Sequence, residues 1–332
     1  MRERPIGQNP YLFVVGCPRS GTTLLQRMLD NHPILAVAND THFIPRVIRG
    51  LPSGVDPPLD PELVERVRTY KRFYRMELPD AAVYEAAEKC KTYSEFVGSL
   101  YSELGRLRGK PLVGEKTPDY VRRLLFLHAL FPWTKTAHII RDGRDVALSI
   151  LEWAREDRGP GRLELWWEEP VAVCALWWRW QVGTGRRDGK ELGPDLYREV
   201  TYEDLAAHPE AALRDLTNFL DLPFSPKMLA FHEGKVRSGP GLSANKAWLP
   251  PVVGLRSWRV RMPERDLQLF EALAGDLLCE LGYELGAKDP SPEVLAVAKR
   301  CQGWWDSEMA RRKVKELRRM AGSQRAKPQT GG

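Results

Sequence analysis

Two hydrophobic periods alternate along this chain. Tyr11 to Val15 is a short β-branched and aromatic run closed by Gly16-Cys17-Pro18, after which Leu24, Leu25, Met28 and Leu29 recur at helical spacing within Thr22 to Asp30. A compact apolar run followed by a 3.6-residue period predicts a strand, a glycine-bearing loop and a helix. The pattern recurs further on: Thr136 to Ile140 is strand-like, Arg141 to Arg144 turns, and Asp145 caps a predicted helix through Val146, Leu148, Ile150 and Leu151. Further strands are expected at Pro111 to Gly114 and Tyr197 to Tyr202, with helices over 119–130 and 209–220. Two polar helical stretches, about 61–78 and 80–106, follow a proline-rich connection from Leu51 to Pro61. Residues 233–257, rich in glycine, proline and basic side chains, read as a loop. Strands alternating with helices imply an α/β domain whose parallel sheet binds ligands at the carboxyl ends of its strands. No internal repeat interrupts this reading.

Composition sharpens it. With 332 residues, 43% of them hydrophobic, and 11 tryptophans, the chain can bury a sizeable core and is not a disordered protein. The formal charge of +6 is concentrated at one end: Arg311 to Lys327 carries eight Lys/Arg against Glu316 alone, so the remainder is near neutral. We therefore expect a single domain over 1–305 and a basic C-terminal tail, helical or disordered, over 306–332. The first ten residues lack the apolar run of a signal peptide, and no stretch approaches the ~18–20 apolar residues of a transmembrane helix. Five scattered cysteines without CxxC spacing fit free thiols better than disulfides or zinc, so a cytoplasmic protein is expected.

The chemistry-bearing loop is Gly16-Cys17-Pro18-Arg19-Ser20-Gly21-Thr22-Thr23. Its G-x4-G spacing between a strand and a helix is that of a phosphate-binding loop, in which backbone N–H groups turn inward and the helix presents its positive end to an anion. The lysine that reaches the β/γ-phosphates in ATP and GTP enzymes is replaced by Thr22, while Arg19 puts a cation inside the loop. An arginine there can fork onto a shorter phosphate–sulfate group. The fold class is thus α/β with a P-loop-like parallel sheet flanked by helices.

Gly-Cys-Pro-Arg-Ser-Gly-Thr-Thr-Leu-Leu resembles the 5′-phosphosulfate loop of the sulfotransferases that use 3′-phosphoadenosine 5′-phosphosulfate (PAPS), in the form typical of the tyrosylprotein branch and many bacterial members. His138-Ile139-Ile140-Arg141-Asp142-Gly143-Arg144-Asp145-Val146-Ala147-Leu148-Ser149 resembles that family's 3′-phosphate segment. The resemblance implies that Pro18, Arg19, Ser20, Gly21, Thr22 and Thr23 hold the 5′ side of the donor, and that Arg141 at a strand end and Ser149 on the next helix hold its 3′-phosphate. A plain Arg141–Asp145 ion pair is the bland alternative. Tyr202-Glu203-Asp204-Leu205 is similar to the family's late strand–helix segment, which would put Tyr202 near the nucleotide. In the 233–257 loop, Ser243 and Arg256 are looser matches to donor contacts, with surface charge as the alternative.

For the reaction, the resemblance makes Lys116 of Gly114-Glu115-Lys116-Thr117-Pro118 the catalytic lysine, acting with Arg19 on the leaving group; an exposed lysine after a strand is the alternative. The base is less direct. Pro118 stands where the cytosolic branch has histidine, whereas Asp30 to Pro45 is similar to the tyrosylprotein branch, whose glutamate base matches Asp40. His42 is the substitute; in an extended segment, two-residue spacing would put Asp40 and His42 on one side. A helix-capping Asp40 or a core His42 are the structural alternatives. Six tryptophans crowd Trp153 to Trp180: Trp177 and Trp180 share a helix face as core, and Trp166-Trp167 is either packing or a wall for an aromatic, glycan or lipid acceptor.

The expected activity is therefore in-line transfer of a sulfuryl group from PAPS to a hydroxyl of a small molecule, glycan, lipid or peptide, releasing 3′,5′-adenosine bisphosphate. No metal, nucleic acid or transmembrane segment is expected, and the pattern does not fix the oligomeric state. A small-molecule kinase using ATP and magnesium, with Thr23 as metal ligand, and a non-catalytic nucleotide-binding protein are the rival readings.

Overall fold

The computed structural model describes residues 8–49, 56–153, 159–233, 257–287 and 289–325. The chain divides into two compact units: residues up to Ile140 together with Gly185–Pro251, and Arg141–Thr184 together with the chain from Val252 onward.

The first unit is built on one five-stranded sheet of β1 (Leu12–Val15), β2 (Leu35–Asn39), β3 (Leu112–Lys116), β4 (Lys135–Ile140) and β5 (Tyr197–Thr201). The order is β2-β3-β1-β4-β5 and every pairing is parallel. Parallel sheets are covered on both faces, which explains why β1 reads as a continuous apolar run and why even the polar residues of β3 and β4 are buried. On β1, Phe13 and Val15 enter one buried cluster, with Phe43, Tyr101, Val113 and Phe131. Leu12 and Val14 enter the other, with Leu25, Leu29, Leu213 and Phe219. Helices α1 (Thr22–Asp30) and α2 (Tyr93–Arg108) flank the sheet. A Thr92/Glu95 capping box starts α2, and Gly109, in the left-handed region at φ 63°, ends it.

Four of the five strands lie where the sequence predicts them; β2 was not expected. The helix expected over 119–130 is broken into a 3₁₀ turn, Pro118–Arg122, and a helix, Leu124–Leu130. The two polar stretches divide likewise, into Pro61–Arg68, Phe73–Met76, Asp80–Glu88 and α2.

The second unit is helical. It contains α3 (Gly143–Trp153), α4 (Glu264–Glu280) and α5 (Pro292–Arg325), the last running without interruption past residue 306. Arg144, 1% exposed, is held by Asp142 and Glu271, and its guanidinium lies 3.6 Å from the centroid of the Trp258 ring. Trp178 is fully buried; Trp177 is buried and packs edge-on to the half-buried Trp180. Trp166 is buried while Trp167 is 77% exposed. Among the described residues, no helix is long and apolar enough to cross a membrane.

Candidate functional site

The anion loop sits where the pattern placed it, between β1 and α1. Gly16 passes so close to β4 that a Cβ there would lie 2.4 Å from the Ile139 carbonyl oxygen. Gly21 is left-handed, φ 94°, and a Cβ would lie 2.5 Å from the Tyr202 ring. Each position therefore demands glycine, for close approach and for conformation respectively. Between them Arg19 is also left-handed, φ 79°, a conformation that costs a non-glycine residue about 1–3 kcal/mol and is typical of loops shaped for a ligand.

Two features of this loop fit a bound anion. Helix α1 has Gly21 at its N-cap, so no side chain caps its first turn, and that turn carries no acidic residue. The Ser20 hydroxyl is fully buried and has no hydrogen-bond partner. An orphaned buried hydroxyl beside an uncapped helix N-terminus is a set of donors that a phosphate or sulfate oxygen satisfies. Pro18, Thr22 and Thr23 complete the loop, and the Tyr202 ring packs over Gly21, so Tyr202 does lie at this loop.

Lys116 is the last residue of β3 and is 1% exposed, not the surface lysine of the alternative reading. Its ammonium lies 3.0 Å from Asp40 Oδ2 and donates to Thr23 Oγ1 at 3.3 Å. Burial lowers the Lys116 pKa, while Asp40 and Glu115 oppose that shift. Asp40 caps no helix: the helix Ile44–Val47 has Phe43 at its N-cap. The backbone N–H of Asp40 donates to the Lys116 carbonyl at 2.7 Å, continuing the β2–β3 ladder by one residue.

The segment after β2 is not extended. Asp40 and His42 are both left-handed, at φ 56° and 61°, yet the turn still brings His42 Nε2 to 4.0 Å from Asp40 Oδ1. His42 is buried, its Nδ1 has no partner, and its pKa is pushed down to about 4, first by burial and then by Arg72, against the opposing charges of Asp119 and Asp40. Three features here had no signal in the sequence reading. Arg75 lies 3.6 Å from Asp40 Oδ2 and donates to the Asn39 carbonyl at 3.4 Å. Arg46 lies 3.7 Å from Asp119, whose carboxylate also pairs with Arg122. Glu115 is fully buried and hydrogen-bonded on both oxygens.

Arg141 and Ser149 of the second motif lie in the other unit. Arg141 is 4% exposed and pairs with Asp145 Oδ2 at 3.0 Å, so the ion pair of the bland reading is formed. Asp145 Oδ1 also accepts the Trp258 backbone N–H at 2.9 Å, and burial raises the Asp145 pKa against the pull of Arg141. The Arg141 carbonyl accepts from Trp178 Nε1 at 3.0 Å, fixing the backbone there. Ser149 on α3 is 2% exposed. Ser243 and Arg256 lie outside the described residues. Among the described residues no group of three or more His, Cys, Asp and Glu side chains is arranged to hold a metal ion.

Comparison with known proteins gives this geometry its family. Residues 10–226 match the sulfotransferase family. Protein-tyrosine sulfotransferase A of Caenorhabditis elegans is 27% identical over 289 residues, covering 85% of this chain and 70% of the relative. Human protein-tyrosine sulfotransferase 1 is 27% identical over 290 residues, covering 85% and 72%. The sulfotransferase domain of the Synechococcus PCC 7002 olefin synthase shares the fold, with a TM-score of 0.51 at 23% identity, over 71% of this chain and 81% of that one. The family match spans β1, the anion loop, Asp40, Lys116, Arg141, Ser149 and all five strands; the chain belongs to the sulfotransferase family, enzymes that move a sulfuryl group from PAPS to an acceptor.

Proposed function

We propose that Lys116 and Asp40 carry the chemistry of this sulfotransferase, Lys116 on the leaving group and Asp40 on the acceptor. The observation that supports this most is the position of one buried ammonium, 3.3 Å from Thr23 Oγ1 at the anion loop and 3.0 Å from the Asp40 carboxylate. Arg19, Ser20, Gly21, Thr22 and Thr23 hold the phosphosulfate, with Pro18 shaping the loop and Tyr202 flanking it. Arg141 and Ser149 hold the 3′-phosphate, which requires Arg141 to share its guanidinium between Asp145 and the phosphate. The acceptor oxygen forms a bond to sulfur as the sulfur–oxygen bond to the 5′-phosphate breaks. Asp40 takes the hydroxyl proton, and Lys116 with Arg19 neutralises the charge left on the departing phosphate oxygen.

Asp40 is favoured over His42 as base because it contacts Lys116 directly and is the more exposed of the two, its side chain 27% accessible against 11%. The acceptor is a hydroxyl compound bearing negative charge, a reading supported by Arg75 beside Asp40, Arg72 acting on His42 and Arg46 beside Asp119. The names of the protein-tyrosine sulfotransferase relatives support an acidic tyrosine peptide as the first such acceptor to try. A reducing compartment such as the cytoplasm is supported by five free cysteines. Incubation with sulfur-labelled PAPS and an acidic tyrosine peptide tests the assignment. Label on the peptide in the wild type, lost in Lys116→Ala, supports it; transfer unaffected by Lys116→Ala would refute it.

A further inference from the structure

We propose that Glu115 is a positioning residue for sulfuryl transfer, its buried carboxylate tying the turn that carries Asp40 to the strand end that carries Lys116. The inference rests on the roles given above to Asp40 and Lys116. Glu115 sits on β3 between two neighbours, opposite Phe13 on β1 and Ala38 on β2, and is fully buried. Alternation along the strand puts it on the face of Val113, in the cluster of Phe13, Ala38 and Phe43. An ionisable group in such surroundings is costly unless every lone pair is engaged, so its retention needs a reason beyond packing.

Its four hydrogen bonds supply that reason. Oε1 accepts from the Thr41 backbone N–H at 3.0 Å, from Thr41 Oγ1 at 2.9 Å and from Thr117 Oγ1 by a short bond; Oε2 accepts from Tyr101 OH at 2.9 Å. Thr41 lies between Asp40 and His42, the two left-handed residues of the turn, and Thr117 directly follows Lys116. The carboxylate therefore clamps the residues next to both reacting side chains. Left-handed non-glycine residues persist only where the surroundings over-determine them, and the Thr41 clamp is such a constraint. Burial raises the Glu115 pKa while the hydrogen bonds from Thr117, Tyr101 and Thr41 oppose that shift; as a carboxylate it adds negative charge near Lys116, whose other charged neighbours are Asp40 and Arg75, and it faces the phenols of Tyr101 and Tyr120. Burial lowers the Lys116 pKa, and the charges of Asp40 and Glu115 oppose that shift.

Two substitutions separate the clamp from the charge. In Glu115→Gln the amide oxygen can keep the Thr41 bonds while the amide donates to Tyr101, so the geometry survives and the charge does not. Glu115→Leu removes both. The readouts need no acceptor: hydrogen exchange of the Thr41 amide, and titration of the Lys116 ε-carbon resonance in protein labelled at that carbon. The expected result is that Lys116 titrates lower in Glu115→Gln than in the wild type. Thr41 exchange should rise by about tenfold or more in Glu115→Leu, as for loss of a bond worth about 1.4 kcal/mol. Where the acidic tyrosine peptide is turned over, Glu115→Gln should lower kcat and move its alkaline limb to lower pH with KM unchanged, an outcome loss of packing would not give. An unshifted Lys116 titration in folded Glu115→Gln overturns the charge role, and unchanged Thr41 protection in Glu115→Leu overturns the clamp. If Glu115→Leu does not fold, Thr41 exchange in Glu115→Asp, one methylene shorter, takes its place. Binding of 3′,5′-adenosine bisphosphate to the wild type reports separately on the sulfotransferase reading.

Discussion

Asp40 and Lys116 meet twice: the Asp40 backbone N–H donates to the Lys116 carbonyl at 2.7 Å, and the Lys116 ammonium lies 3.0 Å from Asp40 Oδ2. The first contact is sheet architecture, one step beyond the β2–β3 register, and it holds the second in place. Because β3 also pairs with β1, which leads into the Gly16–Gly21 loop, the same strand end lies beside both that loop and Asp40.

In the proposed mechanism, Lys116→Ala removes the cation from the leaving oxygen. Loss of one donor to a developing oxyanion typically lowers the rate about 10²–10³-fold. Turnover should fall by that factor with acceptor KM little changed, as steady-state kinetics would show. Near-normal turnover would assign the leaving-group charge to Arg19 or to the 233–257 loop.

If Asp40 is the base, Asp40→Asn should lower turnover by about 10²–10⁴-fold while leaving affinity for 3′,5′-adenosine bisphosphate nearly intact. His42→Gln should do much less. The reverse pattern would transfer the base role to His42, and large losses in both would mean a coupled pair. An aliphatic hydroxyl acceptor, if one is turned over, gives the sharper test, since a phenol needs less help to ionise.

Arg141→Ala should raise the dissociation constant of the bisphosphate about tenfold or more, each charge-assisted bond being worth roughly 1.5–3 kcal/mol. Ser149→Ala should weaken binding less. Calorimetric titration measures both. Unchanged affinity in folded Arg141→Ala would leave the Asp145 ion pair as that residue's role.

Acid should cost the fold stability through its buried histidines. Burial pushes His128 down to about 4, where an unfolded histidine titrates near 6.5. Between those values the unfolded state binds more protons, so the contribution is full above pH 6.5 and is lost as pH falls toward 4, at up to about 1.4 kcal/mol per pH unit. His128→Gln, which keeps a polar partner for Thr136 Oγ1, should therefore flatten the fall of the denaturant midpoint between pH 6.5 and 4.5. Parallel curves for variant and wild type would contradict this.

The strand–loop–helix around Gly16 and Gly21 was legible because β-branched residues, paired glycines and a helical period follow one another there. β3 was legible only to Gly114: Glu115 and Lys116 are polar, and polar residues at a strand end read as a turn although both are buried. That mismatch marks the site itself. β2 was hidden by alanines and a terminal asparagine in Leu-Ala-Val-Ala-Asn, weak strand formers made into a strand by pairing with β3. Arg75 and Tyr101 carried no signal because they reach the site through non-local packing, which periodicity does not encode.

The most direct test is a calorimetric titration of the full chain with 3′,5′-adenosine bisphosphate in the absence of metal, set against adenosine 5′-monophosphate and against ATP with magnesium. The expected result is binding of the bisphosphate without metal, tighter than the monophosphate by about tenfold or more through the 3′-phosphate. Binding of ATP with magnesium in preference to the bisphosphate would contradict it.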